Sequence, residues 1–376
     1  MAATRNYTIS IMKGIAIILM VAGHAEGPEL MTNFIYTFHM PLFFMAAGYF
    51  FSLKHASEPW NFISRRFNGL YVPFIKWSLF FLVTHNIWHY FGILNETYGN
   101  WTGGVTHPYT WHSALQRLVM IFTSMSGYDE FMAGAFWFFR GLLVASILFL
   151  ILFRLADSRF HLKPAATAGI VCLCAVAFTA LRIYAGLKIT GYPNGGWREV
   201  WGVFFFGLGF IFRQYEDRLP RRQGALAMVC FLLLCCAAWL HLSGMNNHGI
   251  PRDLWSLPLT GLAGWLAVRY VSMILDRKGG RLRDLLVFIG ENTLYVFIFH
   301  IISFKAVSLA KIWWYDLDFG QIGCHMVIHF NHTDFFWVLY TIVGVALPLG
   351  VLYCVRRFRT AVSSRLVKYR DRYSLR

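Results

Sequence analysis

The chain has 376 residues and a formal charge of +16, with 57% of its residues hydrophobic, 18% aromatic and only 14% charged; its mean hydropathy is +0.50. A water-soluble domain keeps about a quarter of its residues charged, so this composition excludes one and describes an all-α integral membrane protein. The basic excess is not a nucleic-acid footprint either. Lys and Arg gather in alternate loops, around Arg65, Arg154, Arg213, Lys278 and Arg356, while Phe91–His112 contains neither. That is the positive-inside orientation signal.

At ~20 apolar residues per span, the sequence predicts about ten transmembrane helices. They fall at Ile9–Ala25, Phe34–Leu53, Leu70–Gly92, Ala135–Phe153, Ala165–Leu187, Trp197–Phe212, Gly224–Ser243, Trp255–Leu275, Leu285–Lys305 and Phe335–Cys354. This number puts both termini in the cytoplasm and every Lys/Arg-rich loop with them. The first segment has no small-residue cleavage site behind it and reads as a retained helix. Ser113–Ser126 is apolar but too short to span, which suits a re-entrant or interfacial segment. Residues 1–355 form one transmembrane unit and 356–376 a basic cytoplasmic tail.

Two predicted outer loops, Asn95–His112 and Lys311–Asp334, mix aromatic rings with amides and acids. Such mixtures suit a sugar, whose ring faces stack and whose hydroxyls need partners; an interfacial aromatic belt has the same look. Six of the seven cysteines lie inside apolar runs and read as small packing residues, with Cys324 alone in an outer loop. Sequons at Asn6, Asn95, Asn100 and Asn331 arise by chance in Asn/Thr-rich loops and carry no conclusion.

The informative stretch is the first fifty residues. An ionisable group in hydrocarbon costs at least ~2.5 kcal/mol and marks a pathway or a site. Lys13 and His24 stand eleven residues apart; at ~100° per residue they share a helix face, about 16 Å apart along the axis. Counting depth from each span's start brings His39 and His300 to the level of His24, with Trp137, Arg140, Arg198 and Glu199 near by. Lys13, Arg65 and Arg66 lie below, on the cytoplasmic side, where paired guanidiniums suit phosphate. A histidine in a helix is more often a packing residue than a catalyst; three at one depth point to a site.

Taken in order, KGIAIILMVAGH, FHMPLFFMAAGYFF, RRFNGLYVPF, FWFFRGLL, FFFGLGFIFR and IGENTLYVFIFH resemble the segments of the acyltransferase-3 family of integral-membrane O-acyltransferases. The FHMPLFF form is most similar to the fucose 4-O-acetylase-like branch. The resemblance runs from Arg5 to about Tyr353. It implies transfer of an acyl group, acetyl or succinyl, from acyl-CoA to a hydroxyl of an exopolysaccharide, lipo-oligosaccharide or related glycan or glycolipid, at a bacterial cytoplasmic membrane and with no metal. The family's first-helix signature of a basic residue, ten residues and a histidine falls on Lys13 and His24. Its basic pair falls on Arg65 and Arg66, and its Trp-Phe-x-x-Arg segment on Trp137 and Arg140. Many members have arginine where this chain has Lys13, and a common serine is Ala47 here.

On this reading His24 is the general base, oriented by His39 or by an outer acid such as Glu26. His300 assists, and Arg140 or Arg198 stabilises the oxyanion. Lys13, Arg65 and Arg66 hold the CoA phosphates; Glu26, Trp137, Arg198 and Glu199 face the acceptor. Two other classes compete. A transporter or flippase also places His and Arg in the bilayer, although the inverted repeats and matched helix breaks of such proteins are not evident. A metalloprotein would use His325, His329 and His332 with Asp334.

Overall fold

The computed structural model describes residues 7–100, 104–219, 223–242, 244–245, 249–327, 329 and 333–373, with side chains as far as residue 360. Asn6, Arg221, Arg222, Asn331 and His332 lie outside the described residues. Among the described residues the protein is all-helical, without strands. Seven helices are long and apolar enough to cross a bilayer, and Thr8–Gly23 and Gln223–Trp239 are shorter apolar helices. This is an integral membrane protein.

The elements are α1 (Thr8–Gly23), α2 (Glu29–Tyr36), α3 (His39–Tyr49), α4 (Leu53–Ser57), α5 (Pro59–Arg66), α6 (Val72–Tyr90), α7 (Trp111–Ser124), α8 (Trp137–Phe160), α9 (Pro164–Tyr184), α10 (Trp197–Tyr215), α11 (Gln223–Trp239), α12 (Asp253–Lys278), α13 (Arg281–Glu291), α14 (Thr293–Trp314) and α15 (Phe336–Tyr373). A π-helical turn, Phe67–Tyr71, joins α5 to α6. Prolines open α5 and α9, where the missing N–H has no helical partner to lose.

Two predicted spans are broken, and each break has a chemical cause. The expected span Phe34–Leu53 stops at Thr37 and restarts at His39. Pro41 cannot donate to the Thr37 carbonyl four residues earlier; the Thr260 hydroxyl, from α12, supplies that bond at 3.0 Å. The expected span Leu285–Lys305 is corrected more heavily. The chain breaks at Asn292, and the long helix is α14, beginning at Thr293 and running to Trp314. The Asn292 amide caps the Phe288 carbonyl at 2.7 Å, and Arg356 of α15 donates to the Asn292 side-chain oxygen at 2.9 Å. In hydrocarbon a freed backbone group must find such a partner.

Glycines set the closest approaches. A Cβ on Gly48 of α3 would strike the Phe206 carbonyl of α10, and one on Gly209 of α10 would strike the Met45 carbonyl of α3. Gly14 of α1 and Gly290 of α13 meet the backbones of Leu286 and Ser10 in the same way. Small residues let helices associate where no hydrophobic effect drives them together. α13 and the first part of α14 therefore climb beside α1, and that alignment brings His300 to His24. Segment α7 has 14 residues, with Thr110 as its N-cap and Leu115, Val119 and Phe122 exposed.

Candidate functional site

Three helices deliver three imidazoles. His24 closes the C-terminus of α1, His39 opens α3, and His300 lies two turns into α14. The His24 and His300 rings meet edge to face with centroids 5.3 Å apart. Nδ1 of His300 faces the carbonyls of Phe297 (2.9 Å) and Val296 (3.2 Å), and Nδ1 of His39 faces the Ile35 carbonyl at 2.9 Å. Carbonyls only accept, so Nδ1 carries the hydrogen in both rings and Nε2 is left as the acceptor. The His24 ring makes no hydrogen bond to the described residues; it looks into open space.

That space is two cavities. The first, of about 320 Å³, is lined mainly by apolar side chains, including Met20, Phe43, Phe138 and Phe297, with Lys13, His24 and His39 as its basic members. The second, of about 740 Å³, is polar and lies among residues 105–109, α7, residues 128–134 and the start of α10. His24 and Trp137 line both. One imidazole thus borders an apolar compartment that also contains Lys13 and a polar compartment that does not.

The remaining predicted residues divide. Arg198 lines the polar cavity with its guanidinium 4.2 Å over the Trp137 ring. Arg140 and Glu199 line neither cavity: they form a buried ion pair, Nε to Oε1 at 2.9 Å, between α8 and α10, and Arg140 also donates to the Met125 carbonyl. The pair lies behind the cavity wall and fixes the start of α10, which holds Arg198. Glu26 follows His24 in a left-handed turn (φ 51°). Arg66 donates to the carbonyl of Ala47, a lining residue of the apolar cavity, and its guanidinium lies over Phe62 and Phe206, while Arg65 is exposed beside it. His55 sits among Arg66, Arg65 and Arg213; burial first, and then those three cations, hold its imidazole below the ordinary value.

Four residues join the site that sequence reasoning did not assign to it. Tyr36 lines the apolar cavity, packs on His39 with centroids 5.2 Å apart, and donates to the Gly23 carbonyl at 3.1 Å, next to His24. Lys305 is buried and donates to the carbonyls of Ile322 and Cys324, pinning the loop after α14. His325, in that loop, is held well below the usual imidazole range by burial, then by the charges of His24, Lys305 and His300. His85 of α6 is buried and paired with Asp129 at 2.7 Å. A buried ionisable group inside an apolar run marks Lys305 and His85 in the sequence as it marks His24. Among the described residues no three His, Cys, Asp or Glu side chains converge as a metal site. His325 packs instead against Phe131 and Phe304, and His329 against Tyr315.

No curated protein and no solved structure matches the chain. A family model does: the acyltransferase domain of the acyltransferase-3 family matches residues 6–357. The match spans every helix of the site and sets the transport reading aside. The chain belongs to the acyltransferase-3 family and is a membrane acyltransferase.

Proposed function

We propose that this protein moves an acyl group, acetyl first and succinyl as the alternative, from acyl-CoA to a hydroxyl of an envelope or secreted glycan, as in the fucose 4-O-acetylase-like branch. The observation that carries the reading is the shared wall: His24 and Trp137 border both an apolar and a polar cavity. Ten spans with both termini cytoplasmic, in a bacterial inner membrane, turn the apolar cavity inward and the polar one outward. The nucleotide end of acyl-CoA stays on the basic face with Arg65 and Arg66, and Lys13 meets its phosphates. The thioester arm follows the apolar cavity over the roughly 16 Å that α1 climbs between Lys13 and His24.

The acceptor hydroxyl enters from the polar side. His24 takes its proton as the oxygen bonds to the thioester carbonyl carbon; the carbon–sulfur bond then breaks and the proton passes to the thiolate, so that ester and free thiol leave in balance. General-base assistance of this kind is worth about 10²–10⁴-fold. His39 and His300 hold the surrounding imidazole cluster, Arg198 and Trp137 serve the acceptor, and Arg140 with Glu199 positions Arg198. A two-step route through an acyl-imidazole at His24 uses the same residues.

The test is a membrane assay with labelled acetyl-CoA and surface glycan. Label enters the glycan with the native protein and is lost with His24→Ala. Full transfer by His24→Ala overturns the assignment of the base. Linkage analysis of surface polysaccharide from a deletion strain identifies the acceptor hydroxyl.

A further inference from the structure

The polar cavity has a chemistry of its own, set by two guanidinium–aromatic stacks. Arg198 lies 4.2 Å over the Trp137 ring, and Arg117, from α7, lies 4.5 Å over Tyr109; all four residues line the cavity. The second face of Tyr109 is covered as well, by the His85 ring, parallel to within 3° at 3.6 Å. Tyr109 therefore has no face left for a sugar ring, and Trp137 already carries a cation on one face. The surface offered to a ligand is guanidinium rather than aromatic.

The acids in and beside the cavity do not cancel both cations. Asp129 is buried and engaged on both oxygens, one by His85 at 2.7 Å and the other by the backbone N–H groups of Phe131 and Met132. Glu199, next to Arg198 in sequence, is paired with Arg140 at 2.9 Å. Glu130 is exposed. Arg117 uses Nη1 on the carbonyls of Gly127 and Tyr128, while Nε of Arg198 is buried without a hydrogen-bond partner. The outer nitrogens of the Arg198 guanidinium make no hydrogen bond to the described residues, and an anion in the cavity supplies them with charge-assisted bonds.

We infer that the polar cavity receives a saccharide bearing an anionic group, carboxylate or phosphate, seated against Arg198 and Arg117. This rests on the acyl-transfer reading only in calling that saccharide the acceptor; the binding itself does not require acyl-CoA. A fixed anion seat in the cavity that His24 borders would choose which hydroxyl of the sugar reaches the imidazole.

The experiment uses the full-length protein in lipid nanodiscs without acyl-CoA. Binding of methyl glucuronide, glucose 6-phosphate and methyl glucoside is measured by saturation-transfer NMR and competition. The expected result is an anionic sugar held about tenfold more tightly than the neutral one. This preference weakens with salt, collapses in Arg198→Gln and Arg117→Gln, and is retained in Arg198→Lys. Preference for the glucuronide assigns a carboxylate and preference for the phosphosugar a phosphate. Equal binding of neutral and anionic sugars, no binding of either anionic sugar up to about 10 mM, or a preference that survives both glutamine variants overturns the inference. A failed acetyl-transfer assay with this binding intact would overturn the enzymatic reading and leave the anion seat standing.

Discussion

His24 and His300 meet edge to face across α1 and α14, 5.3 Å between ring centroids, and only His24 borders the two cavities. His300 is fully buried, its Nδ1 committed to backbone carbonyls and its Nε2 without a partner. Replacing it with phenylalanine keeps the ring and removes an orphaned acceptor, so the protein should melt no lower. If His300 tunes the base, kcat for acetyl transfer falls about tenfold or more in His300→Phe, while KM for acyl-CoA stays unchanged. Unaltered kcat would make His300 a packing residue.

The Arg140–Glu199 pair gives a different signature. Both side chains are almost wholly buried, and removing one partner from such a pair leaves an uncompensated charge at a cost of about 3–5 kcal/mol. Arg140→Gln and Glu199→Gln should each lower the melting temperature in detergent, and the double variant Arg140→Leu/Glu199→Leu should recover much of the loss. An Arg140→Gln protein that melts normally but transfers acyl groups more than about a hundredfold more slowly would restore Arg140 to direct catalysis.

The apolar cavity makes the path of the donor testable. Ala47 lines it, with its carbonyl held by Arg66. It lies eight residues along α3 from His39, roughly 12 Å from the imidazole level, so leucine there fills space that the thioester arm needs and leaves the acyl end at His24 alone. Ala47→Leu should raise KM at least about tenfold for acetyl-CoA and succinyl-CoA alike, with the ratio of the two kcat/KM values unchanged. A normal KM places the arm elsewhere.

His325 makes stability depend on pH. An unfolded chain binds a proton at this imidazole near its ordinary value of 6.5, whereas in the fold burial and the charges of His24, Lys305 and His300 hold it well below that value. Between the two values the unfolded chain carries more protons, so stability falls as pH drops below 6.5. Melting temperatures measured from about pH 8 to about pH 5 should decline across that window, with a shallower decline in His325→Gln. Equal slopes would remove His325 from the balance.

Much of the site can be read in one dimension, because an ionisable group in an apolar run is visible without any partner. Lys13, His24, His39 and His300 share that property, and all but His300 line a cavity. The helix breaks are harder to see. A hydropathy window averages across Thr37 and Asn292, although Pro41 signals the first break, and only the fold supplies Thr260 and Arg356 to repair them. Pairings over long separations are invisible in the same way. Arg140 reads as a free cation until α10 brings Glu199 to it, and Tyr109 reads as a sugar platform until His85 and Arg117 cover its two faces. The aromatic loops suggested stacking; the folded cavity presents guanidinium.

Arg356 reaches from α15 to the Asn292 side chain where α13 gives way to α14. Thr293 and Leu294, the next two residues, line the apolar cavity. A helix that contributes no side chain to that lining is thus a rivet on the stretch of chain that does. Loosening the rivet would reshape the cavity without replacing any group that faces it, which makes the last helix a handle on the form of the site rather than on its chemistry.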